Sequence, residues 1–204
     1  MAEVEKVDRG ARRKARTRQK LLDAAGSLFA QSSLDDISIV DITDAADVGL
    51  GTFYNHFESK NDLLKAVADD FLLVYAEELD KLIEDLTDPM EIILMSYRYT
   101  IRSAKHPIGW PIIEQLPQNY LRDKIHARAV ADAVVGVKTG RFKLDDAEAF
   151  MKFMSSSVVG VMGGLADDTL TLEEAEAFGI YFAKLLGVDE AAAAEFLARP
   201  MPKI

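Results

Sequence analysis

The chain has 204 residues, 49% of them apolar, which is enough for one extended domain or two small ones with a substantial core. It has no cysteine, which excludes disulfides, thiolate nucleophiles and thiolate metal sites. The formal net charge of −10 argues against a general nucleic-acid binder, yet residues 1–20 hold eight Lys or Arg against three acids, a local +5 that leaves −15 for the rest. A basic tip on an acidic body suits a DNA contact confined to one end, and composition alone leaves a solvated tail equally open.

No N-terminal apolar stretch reads as a signal peptide, because the first twenty residues are polar and charged. The longest apolar run, Phe153 to Ala166, is too short to span a bilayer, so the expectation is a cytoplasmic protein with no membrane partner. Apolar residues recur at spacings of three and four throughout, with no sustained alternation, which predicts an all-α fold of about nine or ten helices. The first helix should run from about Arg13 to Gln31, with Leu21, Leu22, Ala25, Leu28 and Phe29 as its apolar stripe. Ser38-Ile-Val-Asp41 has the pattern of a capping box and opens a second, short helix that Asp47-Val48-Gly49 interrupts. A third short helix covers Leu50 to Phe57, and Ser59-Lys-Asn-Asp62 starts a long one reaching about Asp85.

Asp88-Pro89 supplies an N-cap with proline in the first turn of a fifth helix, which ends near His106-Pro107. Ile108 to Pro117 leaves room only for a short helix. A long helix then runs from Asn119 to Gly140. Asp145 and Thr171-Leu-Glu-Glu174 begin the next two, and an alanine-rich helix ends before Arg199-Pro200. The expected division is residues 1–60 as a helix-turn-helix domain with a basic arm and residues 61–204 as a second helical domain.

Two short helices separated by a tight turn, at residues 38–57, are what a helix-turn-helix requires. Ile39, Ile42, Ala45 and Ala46 should pack inward, Val48 should plug the turn, and Phe53 and Phe57 should share the core face. Leu50, Thr52, Tyr54, Asn55 and His56 are left pointing outward. This set is rich in hydrogen-bonding and aromatic groups and poor in the Lys and Glu of an ordinary solvated face.

The string Ile42-Thr-Asp-Ala-Ala-Asp-Val-Gly-Leu-Gly-Thr-Phe-Tyr-Asn-His-Phe57, followed by Ser59-Lys60 and Leu63-Leu64, resembles the DNA-binding domain of TetR/AcrR-type regulators. The resemblance covers roughly residues 13–65; beyond it only helix count, length and order agree. Asp47 stands where the family commonly has glycine, at a position needing a left-handed backbone, which Asp tolerates. Gly49 stands where the family often has serine, which removes a capping hydroxyl.

The resemblance implies a ligand-responsive regulator, commonly a repressor, that binds a near-palindromic operator as a homodimer without cofactor or metal. Thr52, Asn55 and Leu50 would meet base edges. Tyr54 and His56 would bond phosphates, and Lys60 and Ser38 would do so at helix starts. Arg13, Arg16 and Arg18 would attract the duplex and reach a minor groove. In the C-terminal domain, Phe71, Tyr75, Tyr97, Trp110, Phe150 and Met154 would line a cavity for a small hydrophobic or aromatic effector, with Arg98, Arg102 or Gln115 as polar groups. Ser156, Gly160 and Gly164 recur every four residues and would form a close-packed dimer ridge, completed by Phe178, Phe182 and Leu185. The remaining readings are an activator of the same fold or a helical protein-interaction adaptor. An enzyme is disfavoured, because His56, His106 and His126 show no metal-ligand spacing and no glycine-rich phosphate loop is present.

Overall fold

The structure is a computed structural model that describes residues 9–106 and 109–202. The described residues form ten α-helices and one 3-10 turn, with no strand among them. In chain order the helices are α1 (Arg9–Phe29), α2 (Ile39–Ala45), α3 (Leu50–Tyr54), α4 (Lys60–Ile83) and α5 (Pro89–Ser103). They continue with α6 (Gly109–Ile113), α7 (Gln118–Lys138), α8 (Ala147–Ala166), α9 (Leu172–Leu185) and α10 (Glu190–Leu197). The described chain divides into two compact units, one of residues up to Phe71 with Pro111–Leu116, the other of Leu72–Trp110 with the residues from Pro117 onward.

The ends of these helices follow from side-chain chemistry. Ser38 accepts from the backbone N–H of Asp41 at 3.1 Å while its own N–H donates to Asp41 Oδ2 at 2.8 Å, a complete capping box. Thr171 and Glu174 build the same device at 3.2 and 2.8 Å, and Ser59 caps α4 through the Asp62 N–H at 3.2 Å. Asp88 caps α5 with Pro89 in its first turn. The cap of α8 is Asp146, one residue beyond the expected Asp145. α1 begins four residues earlier than expected, and α3 ends at Tyr54, with residues 55–56 in a turn. Pro107, at the expected end of α5, lies outside the described residues. The 3-10 turn Leu34–Asp36, capped by Ser33, has no periodic signature and was not anticipated.

In the first unit, Leu21, Leu22, Ala25 and Phe29 of α1 meet Ile42, Phe53, Phe57, Leu63 and Leu64, all buried. Truncating a fully buried ring such as Phe53 costs about 3–5 kcal/mol. One expected inward residue is misplaced: Ala45 is exposed, and Thr43 is buried instead, its hydroxyl satisfied by the Val40 carbonyl at 3.0 Å. A hydroxyl that bonds its own helix can enter a core that composition assigns to alanine. Asp47 sits in the turn at φ 53°, the left-handed conformation anticipated for it.

In the second unit α5 is central, burying Met90, Ile93, Leu94, Tyr97 and Ile101 in a core shared with Met154, Met162, Leu165, Phe182 and Phe196. Tyr97 meets Phe182 edge-on at 4.7 Å and its hydroxyl donates to the Ala175 carbonyl. Arg98, 3% exposed, donates to Glu176 at 3.2 Å and to the Arg199 carbonyl at 2.9 Å, and Arg102 joins the same carboxylate at 2.7 Å. Arg141 grips Asp88 through two bonds of 2.7 and 2.8 Å. α8 extends to 20 residues because Ala147–Lys152 precede the apolar run. By length and composition it is apolar enough to cross a membrane. Met151, Met154, Val161, Met162 and Leu165 face the core of the second unit, while Phe153, Ser156 and Gly160 are exposed.

Candidate nucleic-acid interface

α3 is held by its buried side and presents the other. Phe53 is fully buried, with the Phe57 ring 6.0 Å away, so the alternate positions are forced outward. Leu50 is 48% exposed and Tyr54 57%, Asn55 is exposed, and Thr52 and His56 are half-buried. Gly49 caps the helix at φ −75° and ψ 150° without a side-chain bond. A Cβ at Gly49 would meet nothing nearer than Thr52 Oγ1 at 4.0 Å.

α3 borders a groove of about 800 Å³ within the first unit. Arg13, Lys14, Arg16, Thr17 and Lys20 of α1 line one wall, and Thr52, Asn55 and His56 the other, with Asp47 and Val48 of the turn. Lys14, Thr17 and Lys20 were not among the expected contacts. Their signal was the three- and four-residue steps Arg13–Thr17, Lys14–Thr17 and Thr17–Lys20, which put them on one side of α1. Asp47 is the groove's only described carboxylate and pairs with Lys20 at 3.7 Å. Burial, then Lys14 and then Arg18 hold the His56 pKa below its ordinary value, so the imidazole is neutral at pH 7.

Three of the expected contacts have partners of their own. Lys60 donates to the carbonyls of Leu34 at 2.7 Å and Ile37 at 2.5 Å, closing the open end of the 3-10 turn and leaving one ammonium N–H. Ser38 spends its hydroxyl on Asp41, at 2.6 Å to the carboxylate, and this bond holds the exposed Asp41 carboxyl below its usual pKa. Arg18 lies over the Phe57 ring at 5.2 Å and outside the groove lining.

In the second unit, Tyr97 and Met154 are buried in the core, and Trp110 and Phe150 pack partly buried against it. Tyr75 is buried with its hydroxyl 2.5 Å from Thr100 Oγ1. Phe71 is half-buried and belongs to the first unit. Arg98 and Arg102 share the single carboxylate of Glu176, which leaves the trio a formal +1, and Gln115 bonds the Leu34 N–H and the Phe29 and Pro111 carbonyls within the first unit. Among the described residues, two buried polar side chains lack partners: Ser96 at Oγ and His126 at both ring nitrogens.

The small-residue ridge divides. Ser156 and Gly160 are exposed and nothing lies within 4 Å of a Cβ at Gly160, whereas a Cβ at Gly164 would fall 2.8 Å from Leu170, an intrachain contact. Phe153, Tyr181 and Leu185 are 57%, 59% and 52% exposed, Phe178 is half-buried and Phe182 is in the core.

Residues 21–67 match the family of bacterial regulatory proteins, tetR family, and residues 88–199 match the tetracyclin repressor-like C-terminal domain. The HTH-type transcriptional repressor KstR2 of Mycolicibacterium smegmatis is 28% identical over 109 residues, and the chain spans about half of that relative, 53% of each. KstR2 of Rhodococcus jostii is 27% identical over 156 residues, 69% of this chain and 76% of that one. Among solved structures, RolR in complex with resorcinol superposes with a TM-score of 0.75 at 28% identity, covering 95% of this chain and 99% of the other. The chain belongs to the TetR family of helix-turn-helix transcriptional regulators.

Proposed function

We propose that this chain is a cytoplasmic, ligand-responsive repressor that binds a near-palindromic operator as a homodimer and is released by a small hydrophobic or aromatic effector. The observation that carries the DNA reading is the exposed face of α3 bordering a groove walled by Arg13, Lys14, Arg16 and Lys20. Leu50, Thr52 and Asn55 read base edges, where leucine and the threonine methyl touch thymine and asparagine pairs with adenine. Tyr54 and His56 bond phosphates, the α1 cations hold the backbone beside them, and the last N–H of Lys60 is available to a further phosphate. Ser38 and Arg18 support this surface by capping α2 and covering Phe57.

The homodimer reading is supported by the exposed apolar side chains of α8 and α9, Phe153, Tyr181 and Leu185, together with the exposed Gly160 of α8. Two-fold symmetry then sets two copies of α3 about 34–36 Å apart, one turn of DNA. Repression is supported by the relatives named repressors, and a small aromatic effector by RolR, solved with resorcinol. The test is operator selection from a random duplex library, followed by titration of Tyr54→Ala and Asn55→Ala. Loss of operator affinity with an intact dimer is expected; unchanged affinity refutes α3 as the reading helix.

A further inference from the structure

The two walls of the groove beside α3 are tied together by a side chain from far along the chain. Gln115 lies in the segment Pro111–Leu116, which belongs to the first unit although it stands well beyond residues 21–67. Ile112, Ile113 and Leu116 are buried, and the half-buried Gln115 bonds two elements at once. Its Nε2 donates to the carbonyl of Phe29, the last residue of α1, at 3.0 Å, and to that of Pro111 at 2.5 Å. Its Oε1 accepts from the N–H of Leu34, the first residue of the 3-10 turn, at 2.6 Å. Both backbone groups are of the kind that a helix end leaves without a partner in its own element.

These two elements lead to opposite walls. Phe29 ends the helix that carries Arg13, Lys14, Arg16 and Lys20. The turn runs through the buried Ile37 into Ser38, the cap of α2, and on to α3 with Thr52, Asn55 and His56. Lys60 holds the carbonyls of the same turn, so the turn is fixed at both ends, and Gln115 in addition reaches α1. Along the chain α1 and the turn are linked by residues 30–33, of which Gln31, Ser32 and Ser33 are exposed. Apolar packing of Leu21, Leu22 and Phe29 with Ile42 and Phe53 is non-directional and tolerates a small slide. Hydrogen bonds from one amide fix distance and direction.

We propose that Gln115 is a positioning residue for DNA reading: its amide, bonding the end of α1 and the turn that leads into α2 and α3, sets the separation between the cationic wall and the base-reading wall. The proposal rests on the operator reading above and adds the residue that keeps its two halves in register. Gln115 is not among the side chains lining the groove, so it acts through the elements it bonds. A duplex presents phosphates and base edges at a fixed spacing, and walls held at that spacing meet both together. Walls that drift keep the sequence-independent attraction of the cations and lose the base contacts.

The experiment uses the full chain, an operator selected from a random duplex library and a scrambled duplex of the same length. Fluorescence anisotropy reads both affinities, and hydrogen exchange reads the Leu34 amide. Gln115→Met keeps the length of the side chain and removes all three bonds. It should lower the ratio of operator to scrambled affinity about tenfold, the effect of one lost hydrogen bond, and speed Leu34 exchange at least about tenfold. Gln115→Glu keeps the acceptor for Leu34 and loses the donations to Phe29 and Pro111, so the ratio should fall while Leu34 exchange stays as in the parent chain. Ile112→Val, a packing change in the same segment, should lower the melting temperature and leave the ratio unchanged. An unchanged ratio in Gln115→Met overturns the proposal. So does an equal loss on both duplexes, which a role in folding alone produces, and so does the same fall of the ratio in Ile112→Val. If the methionine variant does not fold, the ratio in Gln115→Glu decides in its place. A parent chain that selects no duplex defeats the operator reading and the proposal with it, whereas a parent chain that selects one beside Gln115 variants of unchanged ratio defeats the proposal alone.

Discussion

The groove beside α3 makes a quantitative demand on salt dependence. Four α1 cations line it, Arg13, Lys14, Arg16 and Lys20, so a dimer engaging both half-sites neutralises about eight phosphates. Each neutralised phosphate contributes about −0.9 to the slope of log affinity against log salt, giving about −7 for the dimer and a loss of about 10⁴ in affinity between 50 and 200 mM salt. The perturbation is the double variant Lys14→Gln, Lys20→Gln, which removes half of these contacts and should bring the slope to about −3.5. Phosphate contacts carry no sequence information, so the preference for operator over scrambled duplex should change little. Fluorescence anisotropy of a labelled operator at five salt concentrations measures both quantities. A slope shallower than about −3 in the parent chain, or an unchanged slope in the double variant, refutes the groove as the seat of the DNA backbone.

The remaining predictions concern packing, assembly and pH. A Cβ at Gly136 would sit 2.0 Å from the buried Phe142 ring, so Gly136→Ala should lose about 2–4 kcal/mol in urea unfolding despite the helix propensity of alanine, with a Phe142→Ala background removing most of that penalty. Charging the exposed apolar surface of α8 and α9 with Phe153→Glu and Leu185→Lys should give a folded monomer by sedimentation equilibrium, with operator affinity reduced at least about a hundredfold because one half-site binds alone. The folded pKa of His56 lies below its ordinary value of 6.5, so its contribution to stability is complete above pH 6.5 and is lost as pH falls through the folded value. A DNA phosphate favours the protonated ring, so operator affinity should rise from pH 8 to pH 6 more steeply in the parent chain than in His56→Gln, as titrations at fixed salt will record.

Local chemistry was legible where one residue type answers one backbone need. The capping boxes at Ser38 and Thr171, the Asp88-Pro89 start and the left-handed Asp47 are short-range events, and each stands where its sequence pattern put it. Phe53 and Phe57 were readable as a core pair because a spacing of four fixes one helix face. What stayed hidden depends on contacts distant in sequence. Lys60 reads as a free cation at a helix start, and only the tertiary fold brings it to the carbonyls of Leu34 and Ile37, 26 and 23 residues away. Gly164 and Gly160 are indistinguishable by spacing, yet one is occupied by Leu170 and the other faces open space. Thr43 is buried and Ala45 exposed, a placement that hydropathy hides because it penalises a hydroxyl that the helix itself satisfies.

α4 belongs to both kinds of chemistry. Its first residue, Lys60, ties the carbonyls of the 3-10 turn, and its later residues Tyr75, Glu78 and Asp80 bond α5 and α7. In the proposed regulator, an effector that competes for these bonds alters what holds α4 without touching α3. The energetic demand is modest if release works through the dimer. Simultaneous engagement of two half-sites multiplies affinity by about 10²–10⁴ through effective concentration, and that factor vanishes once the two reading helices no longer match the operator spacing. An effector therefore need not oppose the intrinsic affinity of each half-site. It need only bind the mismatched conformation better than the matched one, by the coupling energy of one or two charge-assisted hydrogen bonds.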